Sequence, residues 1–365
     1  MGLDEPLVLL NPGPACTSER IRAALGRGDM CHREPEFSAI LDSIRTGLVR
    51  SLGLADSHEA IVVTGSGTSA LEMATISSIR DGRKMLVVIN GVYGERIARI
   101  ARVNGIEVVE ARFPISIPAD PAEIVAALGR HPQVDSVACV EHETSTGLLN
   151  PVAEIGRAIA GSGATFVVDA ISSMACEEQE LADINADFIV GTANKGLHGL
   201  PGISFVLASH AGIERLQAAP ERSLYLNAAT YLAGQRRGEV PFTPAVQVCY
   251  ALDEAIREFE ERGGHRQRAA DYRARAELVR EGYAALGLKL VVEEPYRANS
   301  VTALRLPEGV TYPALHDRLK QRGYVIYAGQ GSLSTEIFRV ATMGHLSLDT
   351  LARFVTDLGE ALADR

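Results

Sequence analysis

Lysine is nearly missing from this chain: of its 36 basic residues only Lys84, Lys195, Lys289 and Lys320 are lysines. Basic residues do not gather into a block and acidic ones do not gather into a tail. With a formal net charge of −10, nothing favours nucleic acid or an anionic membrane surface as a partner. No apolar run approaches the length that spans a bilayer, so no membrane segment is expected. The opening MGLDEPLVLLNPGP lacks the basic flank and cleavage pattern of a signal peptide, which makes a cytoplasmic location the expectation. Cysteine is also sparse. Cys16, Cys31, Cys139, Cys176 and Cys249 are odd in number, scattered and free of any C-x-x-C pair. That fits a reducing compartment with buried or inert thiols, and argues against structural zinc; no metal is expected.

What is present is enough for a large core and a smaller companion, since the 365 residues are 46% apolar. From about residue 56 to 208, short apolar runs (AIVVT, MLVVIN, IEVVEA, SVACVE, TFVVDA, DFIVGT, ISFVLA) alternate with segments of helical spacing at 69–79, 93–104, 121–129 and 151–160. Runs of this kind predict strands buried on both faces of a mainly parallel α/β sheet. A long loop over 220–244 leads into a helical region, 245–286. After it come strands LKLVVEE and SVTALRL, a helix over 313–322, strands YVIYA and IFRVAT, and a helix over 348–362. The expected division is an N-terminal segment (1–14), a large domain (15–255) and a small C-terminal α/β domain (256–365) with its own sheet.

The placement of the four lysines is informative. Lys84 follows the turn Asp81-Gly82-Arg83, Lys289 begins a strand, and Lys320 shares a polar helix face with Asp317 and Arg318. Lys195 instead follows the apolar strand DFIVG, inside TANKGLHGLPG, with no charged neighbour. A desolvated, glycine-lined strand end lowers an amine's pKa, as a lysine that condenses with an aldehyde requires. A plain loop lysine is the alternative. Asp169 closes the strand TFVVDA, where ligands of parallel sheets bind, and could either hold a ring N–H or cap the next turn. Ser66, Gly67 and Thr68 open a helix after the strand AIVVTG, which makes them a phosphate cradle or a simple N-cap. Tyr93, between Gly91 and Gly94, could stack on a planar group. Thr144, in EHETSTG, could donate a hydrogen bond to it, with His142 and Glu143 beside it supporting or structural. Arg339 lies in the otherwise uncharged strand EIFRVATMG, suited to a carboxylate or phosphonate, or else to an interface ion pair.

These landmarks, together with NPGPACTS, TGSGTSALE, NGVYGER, HETSTGLLNP, TANKGLHGLPG, RSLYLN, PFTP and YVIYAG, resemble the class V, fold-type I aminotransferases over nearly the whole chain. HETSTG, VVDAISS and the Asn before the lysine are most similar to the phosphonate-using branch. The resemblance implies pyridoxal 5′-phosphate as cofactor and Lys195 as its Schiff-base lysine and proton shuttle. It further implies Asp169 as the pyridinium partner, Tyr93 as the stacking ring, Thr144 as a cofactor contact, Ser66, Gly67 and Thr68 as the phosphate cup, and Arg339 as the receiver of the substrate's acid group. Thr243, in PFTP, matches a threonine that reaches the neighbouring subunit's cofactor, so a homodimer is expected. One departure stands out. CHREPEF, residues 31–37, is closer to the His-Arg-x-x-Glu-Phe pattern spread widely through class V than to the phosphonate members.

The expected reaction is amino transfer from 2-aminoethylphosphonate to pyruvate, a small-molecule amine donor and a 2-oxo acid acceptor. An alanine- or serine-glyoxylate transaminase would use Arg339 equally well. A lyase of the same cofactor class, a nicotinamide oxidoreductase built on Gly65-x-Gly67, and a non-catalytic cofactor-binding sensor are the remaining alternatives.

Overall fold

A computed structural model of the chain describes residues 7–363; six residues of the segment expected over 1–14, and the last two of the domain expected over 256–365, lie outside the described residues. The described chain begins with a short strand, β1 (Val8–Leu9), and two helices, α1 (Glu19–Ala24) and α2 (Pro35–Ser51). Strands and helices then alternate through β2 (His58–Thr64), α3 (Gly67–Ser77), β3 (Lys84–Ile89), α4 (Val92–Val103), β4 (Glu107–Arg112), α5 (Pro121–Arg130) and β5 (Val134–Val140). A small hairpin, β6 (His142–Glu143) and β7 (Leu148–Leu149), precedes α6 (Val152–Ile159), β8 (Thr165–Asp169), β9 (Phe188–Thr192) and β10 (Ile203–Ser209).

Seven of these strands form one sheet in the order β2-β10-β9-β8-β5-β3-β4. Only β10 runs against its neighbours. The other six therefore point the same way and bring their carboxyl ends to a single edge. Their sequences are apolar without alternation because both faces are covered. Leu86, Val88, Val137, Val168 and Ile189 join one core. Met85, Val87, Ala138, Val167 and Val190, one residue out of step, join the core on the opposite face.

The rest of the chain runs through α7 (His210–Leu216), α8 (Ala228–Gln235), α9 (Val246–Glu261), α10 (Gly264–Ala285), β11 (Val301–Arg305), α11 (Tyr312–Gln321), β12 (Tyr324–Val325), β13 (Tyr327–Ala328), β14 (Ile337–Ala341) and α12 (Leu348–Ala363). β11, β14 and β13 make a small antiparallel sheet, backed by Val279, Tyr283, Leu315, Phe354 and Leu358 of α10, α11 and α12.

Four details depart from the expected elements. The stretch 220–244 contains α8, started by the side chain of Asn227, which accepts from the Thr230 N–H. The helical region 245–286 is two helices, broken where Gly263 and Gly264 both take left-handed φ angles (94° and 64°). The break expected after residue 255 falls within α9, whose Ile256 and Phe259 pack in the large core. LKLVVEE forms no strand: Leu290 makes one isolated bridge to Leu304, and Pro295, which has no N–H to donate, follows the exposed Glu293 and Glu294.

The N-terminal segment crosses between the two sheets. β1 pairs in parallel with β12, Leu10 is buried in the small core, and Cys16 bridges to Gly344. Between these anchors, the Ala15 N–H donates to the Asn194 carbonyl at 3.2 Å. A single stretch of about eight residues thus ties the small sheet to the loop after β9.

Candidate active site

That loop carries Lys195. It is folded tightly by its own backbone: the His198 N–H donates to the Lys195 carbonyl at 2.9 Å and the Gly199 N–H to the Ala193 carbonyl at 2.8 Å. Thr192 Oγ1 donates to Asn194 Oδ1 at 2.9 Å. A Cβ at Gly196 would lie 2.0 Å from the Met174 carbonyl, so glycine here lets the Lys195 loop press against the turn that follows Asp169. Lys195 is half-buried and its Nζ donates to the Pro12 carbonyl at 2.6 Å. Gly13, at φ 108°, completes the contact, since a Cβ there would stand 3.1 Å from Lys195 Cε. Burial pushes the amine down to about 8 against the pull of Asp169, with Arg339 and Arg96 adding to the depression. The free amine should therefore condense with an added aldehyde at a rate that falls about tenfold per pH unit below pH 8 and levels off above it. Stopped-flow absorbance of the cofactor-free protein mixed with pyridoxal phosphate measures this; a flat profile from pH 6 to 9 contradicts it.

Asp169 sits at the carboxyl end of β8, adjacent to β9, and is 4% exposed. One oxygen accepts from the Ile171 N–H at 3.0 Å. Burial raises the carboxyl to about 6, against Ile171, Lys195 and Arg96, which lower it. The amine and this carboxylate therefore perturb each other across the same space.

The other predicted residues come from neighbouring strand ends. Thr144 follows β6, is buried, and spends its carbonyl on Arg339 Nη1 at 3.0 Å; its hydroxyl makes no hydrogen bond to the described residues. Glu143, next to it, has a defined structural task. Its carboxylate accepts from the Tyr93 N–H at 3.0 Å and the Ser145 hydroxyl at 2.6 Å. This caps the N-terminus of α4, where a negative charge is favoured, and fixes Tyr93 at the sheet edge. Burial drives the Glu143 carboxyl upward against those hydrogen bonds. His142 faces the same region through Nδ1, 3.2 Å from the Ser172 carbonyl, while Nε2 is buried with no partner among the described residues. Burial first, then Lys195, lowers its pKa to about 3 despite the Ser172 contact, so it is a neutral ring.

Ser66, Gly67 and Thr68 lie where β2 turns into α3. Ser66 occupies the N-cap but its side chain makes no capping hydrogen bond, and the first turn holds no acidic residue. The Ser66 carbonyl is held instead by the hydroxyls of Ser69, at 2.7 Å, and Ser204, at 3.0 Å. A helix N-terminus left in this state favours an anion. It does not suit a dinucleotide, because β2 is at the sheet edge beside antiparallel β10 rather than in a parallel β-α-β unit.

Arg339, on β14, is 2% exposed. No ion pair joins it to a carboxylate among the described residues. It donates through Nε to the Ala328 carbonyl at 2.8 Å and through Nη1 to Thr144, leaving Nη2 uncommitted. Thr243 stands apart: it is exposed on its own chain, in the loop whose Ala245 N–H reaches Thr64 Oγ1 at 3.1 Å. Cys31 to Glu36 of CHREPEF are largely exposed too, and Ser38, just after it, donates to the Gly238 carbonyl on the same side. Sequence reasoning missed Arg96, which lies three residues after Tyr93 on α4 and contacts Thr68 Oγ1 at 3.4 Å. The spacing of three on one helix face was the available signal.

A cleft of about 550 Å³ opens elsewhere, lined by Glu141, Glu177, Arg280 and Arg297 and not by Lys195. The two carboxyls are raised by burial to about 7 and about 8. Volume is a weaker guide here than convergence, since Lys195 and the two groups whose charges act on it, Asp169 and Arg339, are absent from that cleft's lining. The expectation of buried thiols holds for Cys139, Cys176 and Cys249, but Cys31 is exposed and Cys16 half-buried. Cys176 lies beside Gly196, yet burial raises its thiol to about 12, so no reactive thiolate adjoins the lysine. Among the described residues no group of three or more His, Cys, Asp or Glu is poised for a metal, and no helix is long and apolar enough to cross a membrane.

The donor set fits pyridoxal phosphate: an amine of lowered pKa, a buried carboxylate, an unspent hydroxyl, an orphaned imidazole nitrogen and an open helix N-terminus. The family model for aminotransferase class-V matches residues 17–354. The chain is 34% identical to the 2-aminoethylphosphonate--pyruvate transaminase of Syntrophobacter fumaroxidans, over 98% of this chain and 97% of that one. It is 32% identical to 2-aminoethylphosphonate--pyruvate transaminase 1 of a Polaromonas species, over 98% and 96%. The crystal structure of alanine--glyoxylate aminotransferase from a Nostoc species superposes with a TM-score of 0.93 at 26% identity, covering 99% of this chain and 97% of that one. The chain therefore belongs to the class-V aminotransferases, enzymes of the pyridoxal-phosphate-dependent type I fold.

Proposed function

We propose that this aminotransferase moves the amino group of 2-aminoethylphosphonate to pyruvate, giving phosphonoacetaldehyde and L-alanine. The observation that carries the reading is Arg339: a buried guanidinium that makes no ion pair among the described residues and whose charge acts on Lys195, in a chain whose full-length relatives bear that activity in their names. A phosphonate and a carboxylate can use the same planar donor in turn. Lys195 would hold the cofactor through its amine and, once released, carry a proton between the donor carbon and the cofactor. Asp169 would pair with the ring nitrogen, Tyr93 lie against the ring, Thr144 donate to its hydroxyl oxygen, and Ser66, Gly67 and Thr68 receive the phosphate. Pyridoxal phosphate, when bound, supplies the carbonyl that accepts the amine and the electron sink that makes the adjacent carbon acidic.

Mixing the cofactor-loaded protein with 2-aminoethylphosphonate should replace the visible band of the aldehyde form by that of the amine form, and pyruvate should restore it with one equivalent of L-alanine. Failure of the first step with this amine, together with success with L-alanine or L-serine, would move the assignment to a glyoxylate-type transaminase, which the Nostoc structural neighbour keeps as the second reading.

The exposure of Thr243 supports a homodimer in which its hydroxyl completes the neighbouring subunit's phosphate site. Sedimentation at assay concentration is expected to give twice the 39.0 kDa chain mass; a fully active monomer would exclude the arrangement. The five unpaired cysteines support a reducing, cytoplasmic setting.

A further inference from the structure

Arg96 is a guanidinium at the sheet edge that makes no ion pair among the described residues. It projects from the first turns of α4, and its guanidinium carbon lies 4.6 Å from the centroid of the Tyr93 ring. Its Nη1 is 3.4 Å from Thr68 Oγ1, and no other hydrogen bond or ion pair engages it among the described residues. The acidic residue beside it is already used, since Glu95 pairs with Arg112 at 2.6 Å. A half-buried arginine without a carboxylate is uncommon in a chain where most arginines at this depth are paired or donate to carbonyls. The cradle it touches carries no side-chain cap, and α3 itself has no basic residue. A helix N-terminus and hydroxyls alone offer a phosphate dianion only partial charge compensation, whereas a guanidinium supplies a full charge and paired donors.

We propose that Arg96 clamps the phosphate of the bound cofactor, holding it against Thr68 while its planar face supports the ring of Tyr93. One side chain thereby links the phosphate end of the site to the aromatic platform. Its field also reaches the reacting end, because it lowers the pKa of both Lys195 and Asp169. The inference rests on the class-V cofactor and not on the identity of the amine, so it stands or falls separately from the choice of 2-aminoethylphosphonate.

The test compares two ligands that differ only in the phosphate. Calorimetric titration of the cofactor-free protein with pyridoxal phosphate and, separately, with pyridoxal is repeated on Arg96→Met and Arg96→Lys. For Arg96→Met, pyridoxal phosphate is expected to bind roughly 10- to 100-fold more weakly, the range produced by losing a hydrogen bond to a charged group. Pyridoxal should change less than about threefold. Arg96→Lys keeps the charge and should recover at least half of the loss on a logarithmic scale. Equal weakening of both ligands would show that Arg96 only props Tyr93 or the fold, and unchanged affinity for both would remove it from the site; either result overturns the proposal. Circular dichroism of the two variants separates misfolding from loss of the contact.

Discussion

Lys195→Ala is expected to abolish amino transfer, lowering turnover by roughly 10⁴-fold or more, because both the covalent handle and the mobile base disappear together. The remaining three lysines are no substitute. Lys84 is paired with Glu107 on the sheet, while Lys289 and Lys320 are exposed. The fold should survive, since the side chain contributes a single hydrogen bond, to the Pro12 carbonyl, worth about 1 kcal/mol. Cofactor should still enter, held by the cradle and Asp169, but borohydride should no longer fix it to the chain, which peptide mass mapping of residue 195 reads directly. Added methylamine should restore a measurable fraction of the proton transfer, as a loose amine takes the place of the tethered one. A variant retaining more than about 1% of wild-type turnover would mean that another group does the work assigned to this lysine.

Arg339→Met should weaken both substrates at once. With the guanidinium gone, KM for the amine and for the 2-oxo acid should each rise roughly 100-fold, the scale of losing a charge-assisted contact, and kcat should fall less. The substitution also strands the Thr144 and Ala328 carbonyls that Arg339 now satisfies, so a stability loss of about 1–3 kcal/mol is expected alongside. Arg339→Lys separates the effects, because an ammonium keeps the charge without the planar pair of donors. Half-reaction kinetics with each substrate provide the measurement. A rise confined to one substrate would mean that phosphonate and carboxylate have separate anchors.

Much of the large sheet was legible because its strands are buried on both faces, and a run such as MLVVIN has few other ways to hide its side chains. The positions of Lys195, Asp169 and Tyr93 were legible for a related reason: Asp169 ends such a run, and Lys195 and Tyr93 follow others within four residues, where a parallel sheet exposes its edge. Arg339 stood out as one charge in an apolar strand. The contacts that align these groups were not legible. The Pro12 carbonyl, the Glu143 cap on α4 and the Gly196 approach to Met174 are made between backbone atoms or across more than twenty residues, and a periodic pattern carries no trace of them. Helix α8 was lost in a stretch rich in Pro, Gly and Arg, whose eight helical residues are too few to show a period. LKLVVEE misled in the opposite direction, its β-branched residues matching a strand while Pro295 and the exposed glutamates end the pairing after one bridge.

The passage of residues 8–15 from the small sheet to the lysine loop has a mechanical corollary. The Leu10 carbonyl accepts from the Ala341 N–H at the end of β14 while Pro12 and Ala15 grip Lys195 and Asn194, so the small sheet and the lysine are joined through residues 10–15 of the chain. The lysine loop is thus held from outside its own strand through one short tether, and a flexible insertion at Asn11 is expected to loosen the Pro12 contact to Lys195 while leaving the strands that frame the site intact.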